Sequence, residues 1–221
     1  YSMKNNWNGL AIPFSATHTW LKNKHYAKRI PSIVHAYGVF VDGIMQGVIT
    51  YGIPASPSLT MGVCGYEYKH QVVELNRLAM LEDHDKNLAS YFVSKTLKML
   101  PKPLIVVSYA DTSMGHVGYI YQATNFLYTG LSAQRTEWRE VGVNTHSRSV
   151  VRNHSLAERI EDERFTMVER PRKHRYIYIT GTKQERKTIL SALNYPIKEY
   201  PKGNSSRYEN EADVPLQMSM I

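Results

Sequence analysis

Several features that would put a chain outside the cell or in a membrane are missing from this sequence. Cys64 is the only cysteine in 221 residues, so no internal disulfide can form and a reducing, cytoplasmic compartment fits. No apolar run approaches the eighteen or so residues of a spanning helix, so neither a transmembrane segment nor a membrane partner is expected. The first residues lack a cationic stretch followed by an apolar one, which argues against a secretory signal. Internal repeats and low-complexity segments are also absent. With 43% hydrophobic and 21% charged residues, the composition is that of an ordinary globular protein. The length suits one α/β domain, expected over residues 1–202, with the polar residues 203–221 as a tail.

Acid is scarce relative to base. Lys and Arg number 27 against 19 Asp and Glu, for a net charge of +8, and the excess is shared equally, +4 in residues 1–130 and +4 in residues 131–221. No basic tail accounts for it. The balance suggests an anionic partner, and 16 tyrosines offer surfaces on which bases could stack. A merely solvated basic surface is the competing reading, and composition does not choose between them.

Pro103 to Gly130 carries the densest signal. Leu104 to Val107 is a continuous apolar run, the pattern of a strand buried on both faces, and Ser108, Tyr109, Ala110 and Asp111 follow where such a strand would end. After Thr112, Ser113, Gly115 and Gly118, the segment Tyr119 to Phe126 repeats Ile120, Ala123 and Phe126 at helical spacing. Open α/β sheets bind ligands at such strand–turn–helix junctions, because strand ends splay there and a helix start offers unpaired N–H groups.

Tyr109-Ala110-Asp111-Thr112, Gly115-His116, Gly118 and Tyr121-Gln122-Ala123-x-Asn125-Phe126-x-Tyr128-x-Gly130 resemble the Mom family of bacteriophage DNA-modification proteins. His25-Tyr26 with Pro31, Leu75-Asn76-Arg77-Leu78, Lys173-His174-Arg175-Tyr176 and Tyr200-Pro201-Lys202 match in the same order, so the resemblance spans about Trp20 to Lys202. It implies a distant member of the GNAT acyltransferase superfamily, an α/β domain with a central mixed, mostly antiparallel sheet flanked by helices. It also implies an enzyme that places a carbamoylmethyl group on adenine in phage DNA, which restriction endonucleases then fail to cut, inside the host cytoplasm. The implied partners are DNA and a small acyl or glycine-like donor, with coenzyme A or acetyl-CoA as the candidate cofactor. GNAT proteins usually hold the diphosphate of coenzyme A on a glycine-rich loop before a helix. That loop is missing here, and Asn87 and Ser90 stand at the helix start as candidate cofactor-binding residues. No metal site is expected, and a homodimer is among the states left open.

Along the chain, Ser15 is placed to cap a helix running to about Lys28, with Trp20 and Leu21 on its apolar face. Leu21 to Ile30 holds Lys22, Lys24, His25, Lys28 and Arg29 and no acid, a candidate phosphate grip or a solvated helix face. Val34 to Val41, Asp42-Gly43 and Ile44 to Tyr51 read as a hairpin with a two-residue turn. Residues 52–69, with Pro54, Pro57, Gly62 and Gly65, read as a long loop, a lid or a DNA-facing segment. Val72 to Met80 is a third strand, whose alternation would point Leu75, Arg77 and Ala79 one way and Glu74, Asn76 and Leu78 the other. Arg77 is then either an ion-pair partner of Glu74 or an anchor for phosphate or carboxylate. Glu82-Asp83-His84-Asp85 is a solvated turn rather than a metal cluster, and Asn87 to Leu100 a helix ended by Pro101. Later come short strands about Thr136 to Val143 and an acid-free basic segment, Asn144 to His154, with Arg148 and Arg152. A charged helix from Ser155 to about Arg164, a strand Arg175 to Ile179 and a capping box at Thr182-x-x-Glu185 follow.

Adenine N6 is a poor nucleophile because its lone pair is delocalised, so a modifying enzyme must position the amine and take a proton from it. Asp111 is the candidate base or positioning residue; its alternative role is a helix cap. His116, between two glycines, is a second candidate base, and His25 is drawn in by the family match. The resemblance makes Tyr121 the candidate proton donor to a leaving thiolate; stacking on an extruded base or plain core packing are the alternatives. Tyr109 would help line an aromatic pocket, and the two basic segments would form a DNA surface on the Asp111 side. Other activities remain open: acyl transfer to a protein, an RNA or an already modified base, and DNA binding without catalysis.

Overall fold

The computed structural model describes residues 6–24 and 30–203. Among the described residues, nine strands and seven α-helices follow in order: β1 Trp7–Ala11, α1 Phe14–Lys24, β2 His35–Val41, β3 Ile44–Gly52, α2 Pro57–Gly62, β4 Val72–Met80, α3 Leu88–Met99 and β5 Ile105–Asp111. Then come α4 Tyr119–Ala123, β6 Leu127–Leu131, β7 Arg135–Glu140, α5 Ser147–Asn153, α6 Leu156–Glu161, β8 Phe165–Arg170, β9 Lys173–Ile179 and α7 Lys183–Ser191. Seven strands form one sheet in the order β1-β2-β3-β4-β5-β9-β6, and β7 with β8 forms a separate two-stranded ribbon. Every pairing in the large sheet is antiparallel except β4 with β5. The expected α/β fold with a mixed, mostly antiparallel sheet flanked by helices is therefore present.

Local chemistry explains the elements that place the site. Asp42 and Gly43 adopt positive φ of 50° and 81°, the turn that matches the twist of a hairpin, and so join β2 to β3 as read. Leu88, Phe92, Val93 and Leu97 put one side of α3 against one face of the sheet, where Ile120, Tyr121 and Phe126 join the same core. On the opposite face, Ile189 of α7 packs with Val63, Cys64, Val72, Val107 and Ile177, while Leu21 of α1 packs with Val48 and Ala79. The sheet is thus covered on both sides, which is why β5 reads as an unbroken apolar run.

Three expectations need correction. Residues 52–69 are not a plain loop: they form α2 and a short 3-10 turn at Tyr66–Tyr68, and the segment after α7 holds them, Asn194 donating from its backbone to Val63 and from its side chain to Gly62. The strict alternation in β4 fails at Asn76, where Arg77 pairs with Thr50 but Leu75 with Tyr51, leaving Asn76 as a bulge. Leu75 and Leu78 consequently share the α3 face, while Ala79 lies on the other. The helix read over Tyr119 to Phe126 is only five residues long, because Asn125 adopts a positive φ of 64° and turns the chain into β6. No helix among the described residues is long and apolar enough to cross a membrane. The residues expected to form the polar tail lie outside the described residues beyond Gly203.

Candidate active site

β4 and β5 run parallel and stay paired only from Val72–Ile105 to Glu74–Val107. Beyond that point β5 keeps its other neighbour, β9, through Asp111 opposite Lys173, while β4 keeps β3. A parallel pair that parts company at its C-terminal end opens a crevice there. One bond spans the opening, from the Ser108 hydroxyl to the Leu75 carbonyl at 3.1 Å.

The α3 side of this crevice is aromatic. Tyr121 of α4 is fully buried, with ring centroids 5.2 Å from both Phe126 and Tyr176. Its hydroxyl approaches Ser108, yet finds no partner at hydrogen-bonding geometry. Burial holds the phenol well above its ordinary range, with the nearby Ser108 hydroxyl opposing, so the group is a neutral O–H. No ring face is open, so stacking on an extruded base is not available to Tyr121 in this conformation. Tyr176 donates to the Val117 carbonyl and accepts from Gln122 Nε2 at 3.0 Å. The Tyr128 hydroxyl meets His174 Nδ1 at 2.8 Å, and Tyr200 donates to the Phe126 carbonyl at 2.6 Å. Gly118 has φ of 81° and faces the Tyr176 ring so closely that a Cβ would overlap it. The aromatic residues of the long motif are therefore mainly packing.

The other side of the crevice is charged. Pairing puts Tyr109 opposite Arg175 and Asp111 opposite Lys173 on the same face of the sheet. Asp111 Oδ1 accepts from the Ser113 N–H at 2.9 Å and the Ser113 hydroxyl at 2.7 Å, and Oδ2 lies 3.6 Å from Lys173 Nζ. Asp111 thus caps a 3-10 turn at Thr112–Met114 and also carries an ion pair; the strand reaches it, extending past Val107 where the apolar run stops. Burial lowers the His116 pKa from its ordinary 6.5 and the negative charge of Asp111 opposes this, so the two groups are within electrostatic reach. Burial raises Glu74 above the usual carboxylate range against the pull of Lys173 and Arg77. Burial likewise raises Tyr109, against Arg175. Arg175 itself is fixed: Nε donates to Thr129 Oγ1 at 2.9 Å and the guanidinium lies 3.5 Å above the Tyr195 ring.

At the start of α3, Asn87 sits in the left-handed region as N-cap and makes no side-chain cap bond. The Ser90 hydroxyl donates back to the Asn87 carbonyl at 3.0 Å, so its proton is already engaged. The Leu88 and Tyr91 N–H groups are taken by the Asp85 and Asn87 carbonyls, which leaves those of Ala89 and Ser90 to meet an anion. Glu82, Asp83 and Asp85 precede the helix and oppose a diphosphate, and Lys86 is the one lysine or arginine among residues 82–87, so the helix start offers backbone donors with little cationic support.

The sequence model of the Mom protein family matches residues 7–202. This chain belongs to the Mom family. The methylcarbamoylase Mom of Escherichia phage Mu is 30% identical to it over 196 residues, covering 83% of this chain and 79% of that one. Solved structures that overlay on this Mom-family chain include a putative acetyltransferase from Acinetobacter baylyi, with a TM-score of 0.48 and 10% identity over 83% of this chain and 97% of that one. Another is a putative acetyltransferase from Salmonella typhimurium with its cofactor acetyl-CoA, with a TM-score of 0.45 and 11% identity over 79% and 94%.

Of the residues singled out in this Mom-family sequence, Arg77, Tyr109, Asp111 and His116 come together around the crevice, and Tyr121 lies behind it. Glu74, noted above only as a partner for Arg77, and Lys173 and Arg175, noted only within a matching segment, join them. Their signal was the alternation Lys173-x-Arg175 on a strand, but only the register with β5 gives it meaning. Arg148 and Arg152 stand exposed on α5, whose C-terminal His154 packs on Phe165 at 4.7 Å. Phe165 lies on the face of the β7–β8 ribbon opposite to Arg135, and Arg135 is the residue near enough to act on Tyr109. The end of this basic segment thus packs on the ribbon face opposite to Arg135. His25, Lys28 and Arg29 lie outside the described residues.

Proposed function

We propose that this chain is a transferase that places a small acyl-derived group, of the carbamoylmethyl type, on N6 of adenine in DNA and so shields phage DNA from restriction. What carries the reading is the gathering of Asp111, His116, Glu74 and Lys173 at the β4–β5 opening of a Mom-family chain. His116, whose lowered pKa keeps it neutral at pH 7, takes the proton from N6 as the amine attacks. Asp111, held by Ser113 and Lys173, orients the ring and stabilises the imidazolium as it forms, the task a carboxylate performs beside a catalytic histidine. Arg77 and Lys173 supply positive charge where negative charge develops. Tyr121 presents a neutral hydroxyl from behind the opening and protonates the leaving group once the donor displaces the Ser108–Leu75 bond.

The donor on this reading is a small acyl-derived or glycine-like molecule: N6 bonds to its methylene carbon as the bond from that carbon to the leaving group breaks, and the leaving group departs with the electron pair and takes the Tyr121 proton. If the donor is carried on coenzyme A, the diphosphate would rest on the Ala89 and Ser90 N–H groups, bound weakly because three carboxylates stand before α3. Mass spectrometry of nucleosides from cells making the protein tests the whole reading: an added mass on deoxyadenosine, together with DNA that resists digestion, supports it. Unmodified deoxyadenosine in cells that contain folded protein refutes it and leaves acyl transfer to protein or RNA as the reading to pursue.

A further inference from the structure

Residues 132–172 leave the large sheet between β6 and β9 and carry the β7–β8 ribbon, for which the reaction above has no use. The ribbon is firmly mounted beside the crevice. Ser132 and Lys173 exchange bonds, backbone to carbonyl at 2.7 Å and backbone to hydroxyl at 3.0 Å, and Arg172 Nε donates to the Ser132 carbonyl at 2.7 Å. The Arg172 carbonyl accepts from the Thr112 hydroxyl at 2.6 Å, one residue beyond Asp111.

The two faces of the ribbon differ. Trp138 and Phe165 are covered on one, the Trp138 ring by Arg159 at 5.3 Å and Phe165 by His154. The other, open face carries Arg135, Glu137 and Arg139 from β7 and Thr166, Val168 and Arg170 from β8. Arg135 and Arg170 are directly opposed, an arrangement that repels unless an anion relieves it. Glu137, with its side chain only 10% exposed, holds Arg139 Nε at 2.7 Å and Arg170 Nε at 3.2 Å, while both arginine side chains remain nearly half exposed. Two guanidinium groups are thus set in place before any partner arrives, each with N–H groups that the Glu137 pairing leaves unused.

We propose that the open face of the β7–β8 ribbon docks in the major groove of duplex DNA beside the extruded adenine, with Arg139 and Arg170 reading guanine edges and Arg135 meeting a phosphate. The proposal rests on the reading that adenine in DNA is the substrate. Two strands about 4.8 Å apart with their side chains fill a major groove about 12 Å wide and are too broad for the minor groove at about 6 Å. Six paired residues extend about 17 Å, the rise of about five base pairs. Adenine N6 itself projects into the major groove, so a ribbon lodged there sits over the edge the enzyme modifies. Arginine forks pair with guanine O6 and N7, and a duplex supplies an anion for Arg135, which faces an Arg170 already paired with Glu137.

The test compares the parent with three variants, all checked for folding by thermal unfolding. Arg139→Ala with Arg170→Ala should weaken binding to a duplex about tenfold or more through the lost base contacts, while the salt dependence of affinity stays near the parent's because no phosphate contact is removed. Arg139→Lys with Arg170→Lys keeps Glu137 paired and keeps the charge, so affinity should fall little, while the sequence preference of modified sites, mapped across host DNA, should flatten. Arg135→Ala should reduce the salt slope by about 0.9, the equivalent of one phosphate. Folded variants that match the parent in affinity, slope and site preference would overturn the ribbon's role while parental modification of adenine leaves the function standing. A Lys pair that keeps the parental site preference would overturn groove reading. A parent that neither binds duplex DNA nor modifies adenine brings down both proposals.

Discussion

Alternate residues of β5 and β9 go to opposite faces of one sheet and meet opposite surroundings. Ser108 and Tyr176 join Tyr121, Phe126 and Tyr128 in an aromatic layer whose hydroxyls, apart from that of Tyr121, are engaged with carbonyls and neighbouring side chains. Tyr109, Asp111, Lys173 and Arg175 stand on the reverse with Glu74, where charge is balanced but not neutralised. A motif that looks continuous along the chain is therefore two motifs interleaved, one that packs with the aromatic core and one that gathers charged and polar side chains, and strand parity decides which residue belongs to which.

The sharpest way to separate the faces is Asp111→Asn. The amide oxygen still accepts from Ser113, so stability should change by less than about 1 kcal/mol, while loss of the carboxylate should reduce adenine modification roughly 100- to 10,000-fold. Equal modification by the folded Asn variant, measured as modified deoxyadenosine per cell, would move the chemistry off this face. Gly118→Ala attacks the packing face instead. A Cβ there collides with Tyr176 and the residue must hold a positive φ, so about 3 kcal/mol of stability should disappear in denaturant unfolding. A loss below about 1 kcal/mol would mean the aromatic layer is looser than it looks.

Protonation gives a smaller handle. His35, His116 and His174 all have pKa values lowered by burial, so the unfolded chain binds protons more readily than the folded one near and below pH 6.5. Their contribution to stability is present in full above pH 6.5 and is lost as pH falls through the lower folded values. The rate of modification should fade over the same acid limb, and His116→Gln should remove that limb along with most of the activity. A His116→Gln variant that keeps parental activity and the parental acid limb would exclude His116 as the base. The smallest effect on stability is expected from Tyr121→Phe, which deletes a buried hydroxyl that lacks a good partner and should leave the fold unchanged or up to about 1 kcal/mol more stable. Turnover should fall while DNA affinity stays; unchanged turnover would return Tyr121 wholly to the packing face.

Where the sequence sufficed, it did so through local chemistry. Val72 to Met80 was readable to the residue as a strand, and Asp42-Gly43 named its own turn. The bulge at Asn76 was not readable, because it is imposed by the neighbouring strand, and it reverses the face assigned to Leu75 relative to Arg77. β1, β6 and β8 went unread: Leu127 to Leu131 includes Thr129 and Gly130, and Phe165 to Arg170 includes two charges, so neither shows the clean alternation of a half-buried strand. Asp111 and His116 stood out by type and position, whereas Lys173 gained its role only by pairing with a residue 62 positions earlier. Tyr121 was ambiguous for a different reason, since a phenol reads the same on paper whether its ring is buried or bare.

The position of β9 bears on how the protein comes off the ribosome. It is the last strand of the sheet to be synthesised, yet it lies between β5 and β6, two strands made well before it. Until residue 179 has emerged, β5 and β6 have no neighbour in common, and the apolar edges of both wait exposed while 41 residues of ribbon and short helices are translated. Closing so long a loop costs only slightly more than closing a short one, but it is slow, and open strand edges invite pairing between chains. Nascent chains stalled within the ribbon would therefore be the species most prone to aggregate, and the β5 side of the crevice would gain Lys173 and Arg175 only once β9 has emerged.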